Sequence, residues 1–234
     1  MRYMNSRLIS LKNKFLDNLK FDDKRQIRSL LFKINSRVDP NFLDYGVGHF
    51  YQSSNILNIS GLRDSKYRKE KLNIENLTYG KNLLDIGTNS GFFLLELKNN
   101  FKHALGIDYN PKLIEIADVA KNYLNISNID FKIENFETKI VKKQFDIILS
   151  LANHHTFDKG ISSTENYFKK IVNLLNSKGI LIFEGHHPII ESKKEFFKFV
   201  EFLSKDFEII REGRYETKNF FDNGRNFVLL QKKI

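Results

Sequence analysis

The chain has 234 residues, 41% of them hydrophobic, and a formal charge of +10, which suits one sizeable α/β domain with a modest appendage. It contains no cysteine, so disulfides, thiolate metal sites and a cysteine nucleophile are excluded. No window reaches the roughly eighteen apolar residues of a membrane span and no signal-peptide core opens the chain, so the expected location is cytoplasmic. The positive charge would draw nucleic acid, an anionic membrane or an anionic substrate. A composition rich in Lys, Asn, Ile and Phe, as A+T-rich coding produces, also explains it without selection on charge.

Residues 1–64 are expected to form N-terminal helices and a lid segment ahead of a main domain at 65–234. Two helical patterns open the chain, Leu8, Leu11, Phe15 and Leu19 in the first and Ile27, Leu30, Leu31 and Ile34 in the second, each with a basic opposite face. Their apolar faces are expected to pack on the main domain. The helices then serve as a cap over the substrate, as a surface for an anionic polymer, or only as a cover for an apolar sheet edge. From 39 to 65 the periodicity is lost, and Pro40, Gly46, Gly48 and Gly61 among aromatic residues suggest an irregular connection or lid.

A helix is expected near 65–76 and a strand at 82–86. Leu83-Leu84-Asp85-Ile86-Gly87-Thr88-Asn89-Ser90-Gly91-Phe92-Phe93 stops an apolar run at an acid and turns through glycines into a new helix near Gly91. Such a first crossover lies at the carboxyl edge of a parallel sheet, where cofactors bind. The spacing is not the Gly-x-Gly-x-x-Gly of dinucleotide enzymes, because Asn89 replaces the middle glycine and no glycine falls at 92. Asparagine tolerates left-handed backbone, so a tight turn survives. A second strand, His103–Ile107, ends at Asp108, 21 residues beyond Gly87, where a carboxylate can take both hydroxyls of a ribose. Asn110 then caps a helix with Pro111 at its first position and Leu113, Ala117, Ala120 and Leu124 along one face.

A third strand, Ile129–Ile133, leads to Glu134-Asn135-Phe136, and Phe145–Ser150 reads as a buried central strand running into Leu151-Ala152-Asn153-His154-His155. Ser162 and Glu165 form a capping box for a helix lined by Phe168, Ile171, Val172 and Leu175, which stops near Lys178-Gly179. Strand five, Ile180–Phe183, ends in Glu184-Gly185-His186-His187-Pro188, and a helix with Phe196, Phe199, Val200 and Leu203 on one face follows. Phe207–Ile210 and Phe227–Leu230 close the chain as two strands joined by a long polar segment.

Asp85 to Gly91 resembles the first motif of the class I S-adenosylmethionine-dependent methyltransferases, acid-x-Gly-x-Gly-x-Gly, with Asn89 departing at the second glycine. The likeness extends in order and spacing over roughly residues 75–234. It implies a Rossmann-like, doubly wound, seven-stranded α/β sheet with an antiparallel last strand, plus an N-terminal helical cap, and S-adenosylmethionine as cofactor. It further implies a methionine-side loop of Asp85, Gly87, Asn89 and Gly91, and a ribose clamp at Asp108 beside Tyr109. The adenine site falls to Asn135 and Phe136, or to Glu134 if the register shifts by one residue. Ile59-Ser60-Gly61-Leu62-Arg63, with Arg68 further on, is similar to a run upstream of the first motif in some bacterial members. On that likeness Arg63 pairs with the cofactor's methionine carboxylate, for which a planar guanidinium is suited; a plain surface arginine is the alternative.

Methyl transfer from a sulfonium needs donor and acceptor aligned, and a hydroxyl acceptor must also lose a proton. Of six histidines, four (His154, His155, His186, His187) follow strands four and five at the cleft edge, and histidine takes protons near neutral pH. In an extended segment at most one of each pair points into a pocket. Glu184, His186 and one of the earlier pair could instead hold a divalent ion; a metal-free histidine base is expected. The expected reaction is O-methylation of a small molecule or sugar, including phosphorylated or nucleotide-linked ones. Two rivals stand beside it. An RNA (tRNA) methyltransferase of the amino type would carry Asn/Asp-Pro-Pro-aromatic where this chain has Asn153-His154-His155. A non-catalytic S-adenosylmethionine-binding module has Asp85 and Asp108 against it only as far as ligand binding goes.

Overall fold

The computed structural model describes residues 2–138, 143–153, 164–185, 196, 200–216 and 224–234. Seven strands, β1 (Asn82–Ile86), β2 (His103–Asp108), β3 (Ile129–Ile133), β4 (Phe145–Leu151), β5 (Leu175–Glu184), β6 (Phe207–Tyr215) and β7 (Arg225–Lys232), form one sheet in the order β3-β2-β1-β4-β5-β7-β6. The first five run parallel, with Leu84 opposite both Leu105 and Ile148, and β7 is antiparallel to β5 and to β6. The helices are α1 (Arg2–Asn18), α2 (Arg25–Asn35), α3 (Ser65–Leu72), α4 (Glu75–Thr78), α5 (Phe92–Glu96), α6 (Pro111–Tyr123) and α7 (Thr164–Leu174).

The central strands are apolar without alternation because both sheet faces are covered, as a parallel sheet requires. Leu83, Ala104, Ile147, Leu149 and Ile182 point to one core layer, shared with Leu31 of α2, Phe93 of α5 and Ala117 of α6. Leu84, Ile86, Ile148, Leu181 and Phe183 point to the other, against Phe168 and Ile171 of α7 and the helical Phe196 and Val200. This is the doubly wound Rossmann-like α/β arrangement with antiparallel final pairing that the resemblance implied.

Three boundaries differ from expectation. The single helix at 65–76 is two, because Asn73 takes a left-handed conformation (φ 43°) and its N–H returns to Lys69 O to close α3. The helix expected to run to Lys178-Gly179 ends at Leu174, and β5 starts at once with Leu175 paired to Phe145. Tertiary pairing there overrides the helical periodicity. The last two strands are each longer than their apolar centres, since their polar flanks pair with one another, as in Arg214 with Asn226.

The larger correction concerns α1. Leu8, Leu11, Phe15 and Leu19 do not pack on the body: they are 61%, 57%, 64% and 53% exposed. The helix docks through its polar face. Ser10 Oγ donates to Gly46 O (2.6 Å) and Asn13 Nδ2 to Gly61 O (3.1 Å). Buried Asp17 accepts from Ser60 N (2.8 Å) and Oγ (2.7 Å), and pairs with Lys20 Nζ (2.6 Å) and His49 Nε2 (3.1 Å). Burial pushes the Asp17 carboxyl up, but His49, Lys20 and Ser60 together outweigh it and hold the pKa down to about 2. In α2, by contrast, Ile27, Leu31 and Ile34 are buried as expected, with Leu30 exposed.

Candidate functional site

Where β1 ends, the backbone N–H groups of Gly87 and Thr88 both donate to Ile107 O (2.9 Å each), which fastens the loop to the end of β2. Gly87 has φ 69°, and a Cβ on it would meet Asn153 Nδ2 at 2.9 Å, so glycine is required twice over. That amide is itself fixed: Asn153 Nδ2 donates to Ile86 O, and Oδ1 accepts from Ser150 Oγ (2.9 Å). At Gly91, also at φ 69°, an added Cβ would meet the ring of Phe131 at 2.5 Å; this glycine seats the start of α5 behind the cleft rather than lining it. Asn89 takes the left-handed turn (φ 56°) that the sequence allowed it. Its N–H donates to Asp108 Oδ2 (3.0 Å), and its Oδ1 accepts from Ser90 N (2.8 Å).

The carboxyl ends of β1, β2 and β4 open onto one cleft. Asp85, Gly87, Asn89, Asp108, Tyr109 and Phe136 all line it, so most of the expected cofactor residues are brought together. Asp108 Oδ1 accepts from Asn110 N (3.0 Å), and the carboxylate lines the cleft. Burial raises the Asp108 pKa against these backbone donors, and burial raises Asp85 to about 7 against Thr88 and the Arg68 guanidinium. Two carboxylates, the apolar Ile107, Leu113 and Phe136 and a glycine-cleared wall in one cleft suit a ligand with a cationic amino-acid end, a diol and a flat base.

Besides Gly91, two expected residues lie outside the cleft. Asn135 is exposed and its Oδ1 accepts from Glu137 N (2.9 Å), so it caps its own turn, while Glu134 lines the cleft beside Phe136. Arg63 lines a neighbouring cavity and lies against Tyr51, with Nε donating to Tyr51 Oη (3.4 Å); Arg68 is the arginine that faces the cleft. His154, His155, His186 and His187 fall outside the described residues, as does the capping Ser162. Gln52, in the irregular segment ahead of the sheet, has no individual role that the sequence assigns. Its Nε2 donates to Thr88 O (3.2 Å) and its Oε1 accepts from Phe92 N (3.1 Å), clamping both sides of the loop. The only local signal was a polar residue closing the aromatic run His49-Phe50-Tyr51.

The second cavity, about 230 Å³, meets the cleft at Tyr51 and Arg68, which line both. Arg63, Arg68, Arg225, Tyr67 and Tyr215 line it with Glu184 and Asp64. Arg68 grips Glu184 as a fork (Nε to Oε2 2.9 Å, Nη2 to Oε1 2.7 Å), Tyr215 Oη donates to Oε2 (2.8 Å) and Arg225 Nε lies 3.6 Å from Oε1. Burial opposes ionisation of Glu184, yet Arg68 and Arg225 hold its pKa below the usual carboxylate value. A carboxylate so enclosed is a structural anion.

A family model described as a methyltransferase domain matches residues 77–223. The human EEF1A lysine methyltransferase 2 is 30% identical over 150 residues, 62% of this chain and 60% of that protein. A demethylmenaquinone methyltransferase of Tropheryma whipplei is 23% identical over 143 residues, 61% of this chain and 57% of that protein. The chain thus spans about six-tenths of the length of these curated relatives. The N-methyltransferase NodS of Bradyrhizobium japonicum, solved with S-adenosyl-L-homocysteine, has the same fold: TM-score 0.60 and 16% identity, covering 90% of this chain and 99% of that one. With the first-motif loop, the acid ending β2 and the antiparallel β7 already in place, the chain belongs to the methyltransferase-domain family, in the class I, S-adenosylmethionine-dependent group.

Proposed function

We propose that the chain transfers the methyl group of S-adenosylmethionine to an oxygen of a small acceptor that carries an anionic group. The cofactor supplies an activated methyl on a sulfonium, and displacement at that carbon is in line and needs no covalent enzyme intermediate. Asp85 and the Gly87–Asn89 backbone would hold its amino-acid end, Asp108 its ribose hydroxyls, and Phe136 with Glu134 its adenine. The single observation that carries the acceptor reading is the second cavity, which adjoins the cleft at Tyr51 and Arg68 and where Arg63, Arg68 and Arg225 outnumber the two acids, Glu184 and Asp64. Guanidinium forks suit carboxylate or phosphate. They suit a lysine ammonium poorly, which separates this reading from the activity that the human relative's name states.

The proton would go to a histidine of the pairs 154–155 or 186–187, whose segments continue directly from cleft-lining Asn153 and from Gly185 after Glu184. One described residue favours a second reading of the base. Tyr51 lines both cavities, and although burial opposes ionisation of its phenol, Arg63, Arg225 and Arg68 hold its pKa below the ordinary value. Methyl transfer from labelled cofactor to a panel of hydroxylated carboxylates and phosphorylated sugars tests the acceptor class. Its failure alongside transfer to protein lysines would overturn it. Tyr51→Phe and the fourfold His→Ala variant separate the bases, because only loss of the true base removes the acidic limb of turnover against pH.

A further inference from the structure

The outward face of α1 carries a run of exposed large apolar side chains. Leu8, Leu11, Phe15, Leu16 and Leu19 are all exposed, and Phe21 continues the ridge at 73% exposure with the Arg25 guanidinium 4.5 Å from its ring centroid. An exposed run of this size on one helix face marks an interaction site. Its polar face is already used, since Ser10, Asn13 and Asp17 bind the lid segment. The exposed cations Arg7, Lys12 and Lys14 accompany the ridge, and the one acid of the helix, Asp17, is buried and paired.

We propose that this ridge is a membrane-docking surface that seats α1 in the interface of an acidic phospholipid bilayer. Leucine and phenylalanine on one side with lysine and arginine beside them is the composition of a helix that lies in the plane of an anionic membrane. A bilayer receives a convex ridge without a complementary groove. A second copy is the poorer occupant, because two such ridges would bring Arg7, Lys12 and Lys14 against their own counterparts. The same helix lends Ile9 and Asn13 to the second cavity, so docking carries that cavity to the membrane surface.

The test is co-sedimentation of the full chain with large unilamellar vesicles of phosphatidylcholine alone and of phosphatidylcholine with about 30% phosphatidylglycerol. The protein is expected to pellet with the acidic vesicles and to be released by raised salt. Leu11→Ser/Phe15→Ser is expected to lower partitioning roughly tenfold or more, because it removes two large apolar anchors. Both residues are solvent-facing, so an unchanged thermal midpoint shows that the variant folds. Equal pelleting of variant and parent, equal pelleting on neutral vesicles, or no pelleting of the parent would each overturn the proposal. So would a dimer in sedimentation velocity that the double variant turns to monomer, which would assign the ridge to a second copy.

Discussion

Asp85 offers the sharpest perturbation, because it is buried at the end of β1 and its pKa is raised to about 7 from 3.8. A raised carboxyl pKa means that the native state holds a proton the unfolded chain has lost. The stability contributed by that proton is full below about pH 4 and disappears as pH rises through about 7. A shift of about three units corresponds to about 4 kcal/mol, of which about 3 kcal/mol falls between pH 5 and pH 8. For a chain of this size that is a fall of roughly 5–10 °C in Tm of the cofactor-free protein. Asp85→Asn keeps the shape and removes the titration, so its Tm is expected to stay flatter over the same range and to exceed the parent's at pH 8. Differential scanning fluorimetry from pH 5 to pH 8 measures both curves. A cationic amino-acid end binds the ionised carboxylate better, so parental affinity for S-adenosylmethionine should tighten as pH rises toward 7, while the variant binds weakly throughout. Parallel Tm curves, or cofactor affinity independent of pH and of the substitution, would refute the reasoning.

Asp108→Asn removes a charged acceptor for two hydroxyls and is expected to weaken S-adenosylmethionine binding roughly ten- to a hundredfold by calorimetry; an unchanged Kd would take the ribose role away. Gly87→Ala forces a Cβ into left-handed backbone against the Asn153 amide, so a loss of roughly 2–4 kcal/mol in urea unfolding and of cofactor binding is expected. Gln52→Leu leaves Thr88 O and Phe92 N without their side-chain partner, and roughly 2–3 kcal/mol should be lost, with the loop rather than the sheet losing amide-exchange protection first.

The sheet was legible because its evidence is local and repeated. Each of β1, β2 and β4 is built on an apolar run, and Asp85 and Asp108 declare the cleft edge by position alone. The turn was legible for the same reason, since Asn89 and Gly87 carry their left-handed backbone in their residue type. The adenine edge was not. Successive residues in extended backbone face opposite ways, so a slip of one residue exchanges Glu134 for Asn135, and no periodicity crosses a three-residue turn to say which.

The misreading of α1 has a different physical source. A stripe at 8, 11, 15 and 19 identifies an apolar face, but burial of that face is a statement about its neighbours, which the stripe does not contain. What orients the helix is the set Ser10–Gly46, Asn13–Gly61 and Asp17 with Ser60 and His49, partners 32 to 48 residues away in sequence. Buried hydrogen bonds to an ionised carboxylate are among the stronger contacts a surface helix can make. They also demand that the polar side face inward, which leaves the leucines outside. The same holds for Arg63 and Arg68, five residues apart in a basic segment. Only the fold, which brings Glu184 from the end of β5 into the fork of Arg68, decides that Arg68 reaches the cleft as well as the neighbouring cavity while Arg63 lines that cavity alone. Where a residue's role depends on a charge from a distant strand, the local pattern yields the residue type suited to an anion but not the anion that it meets.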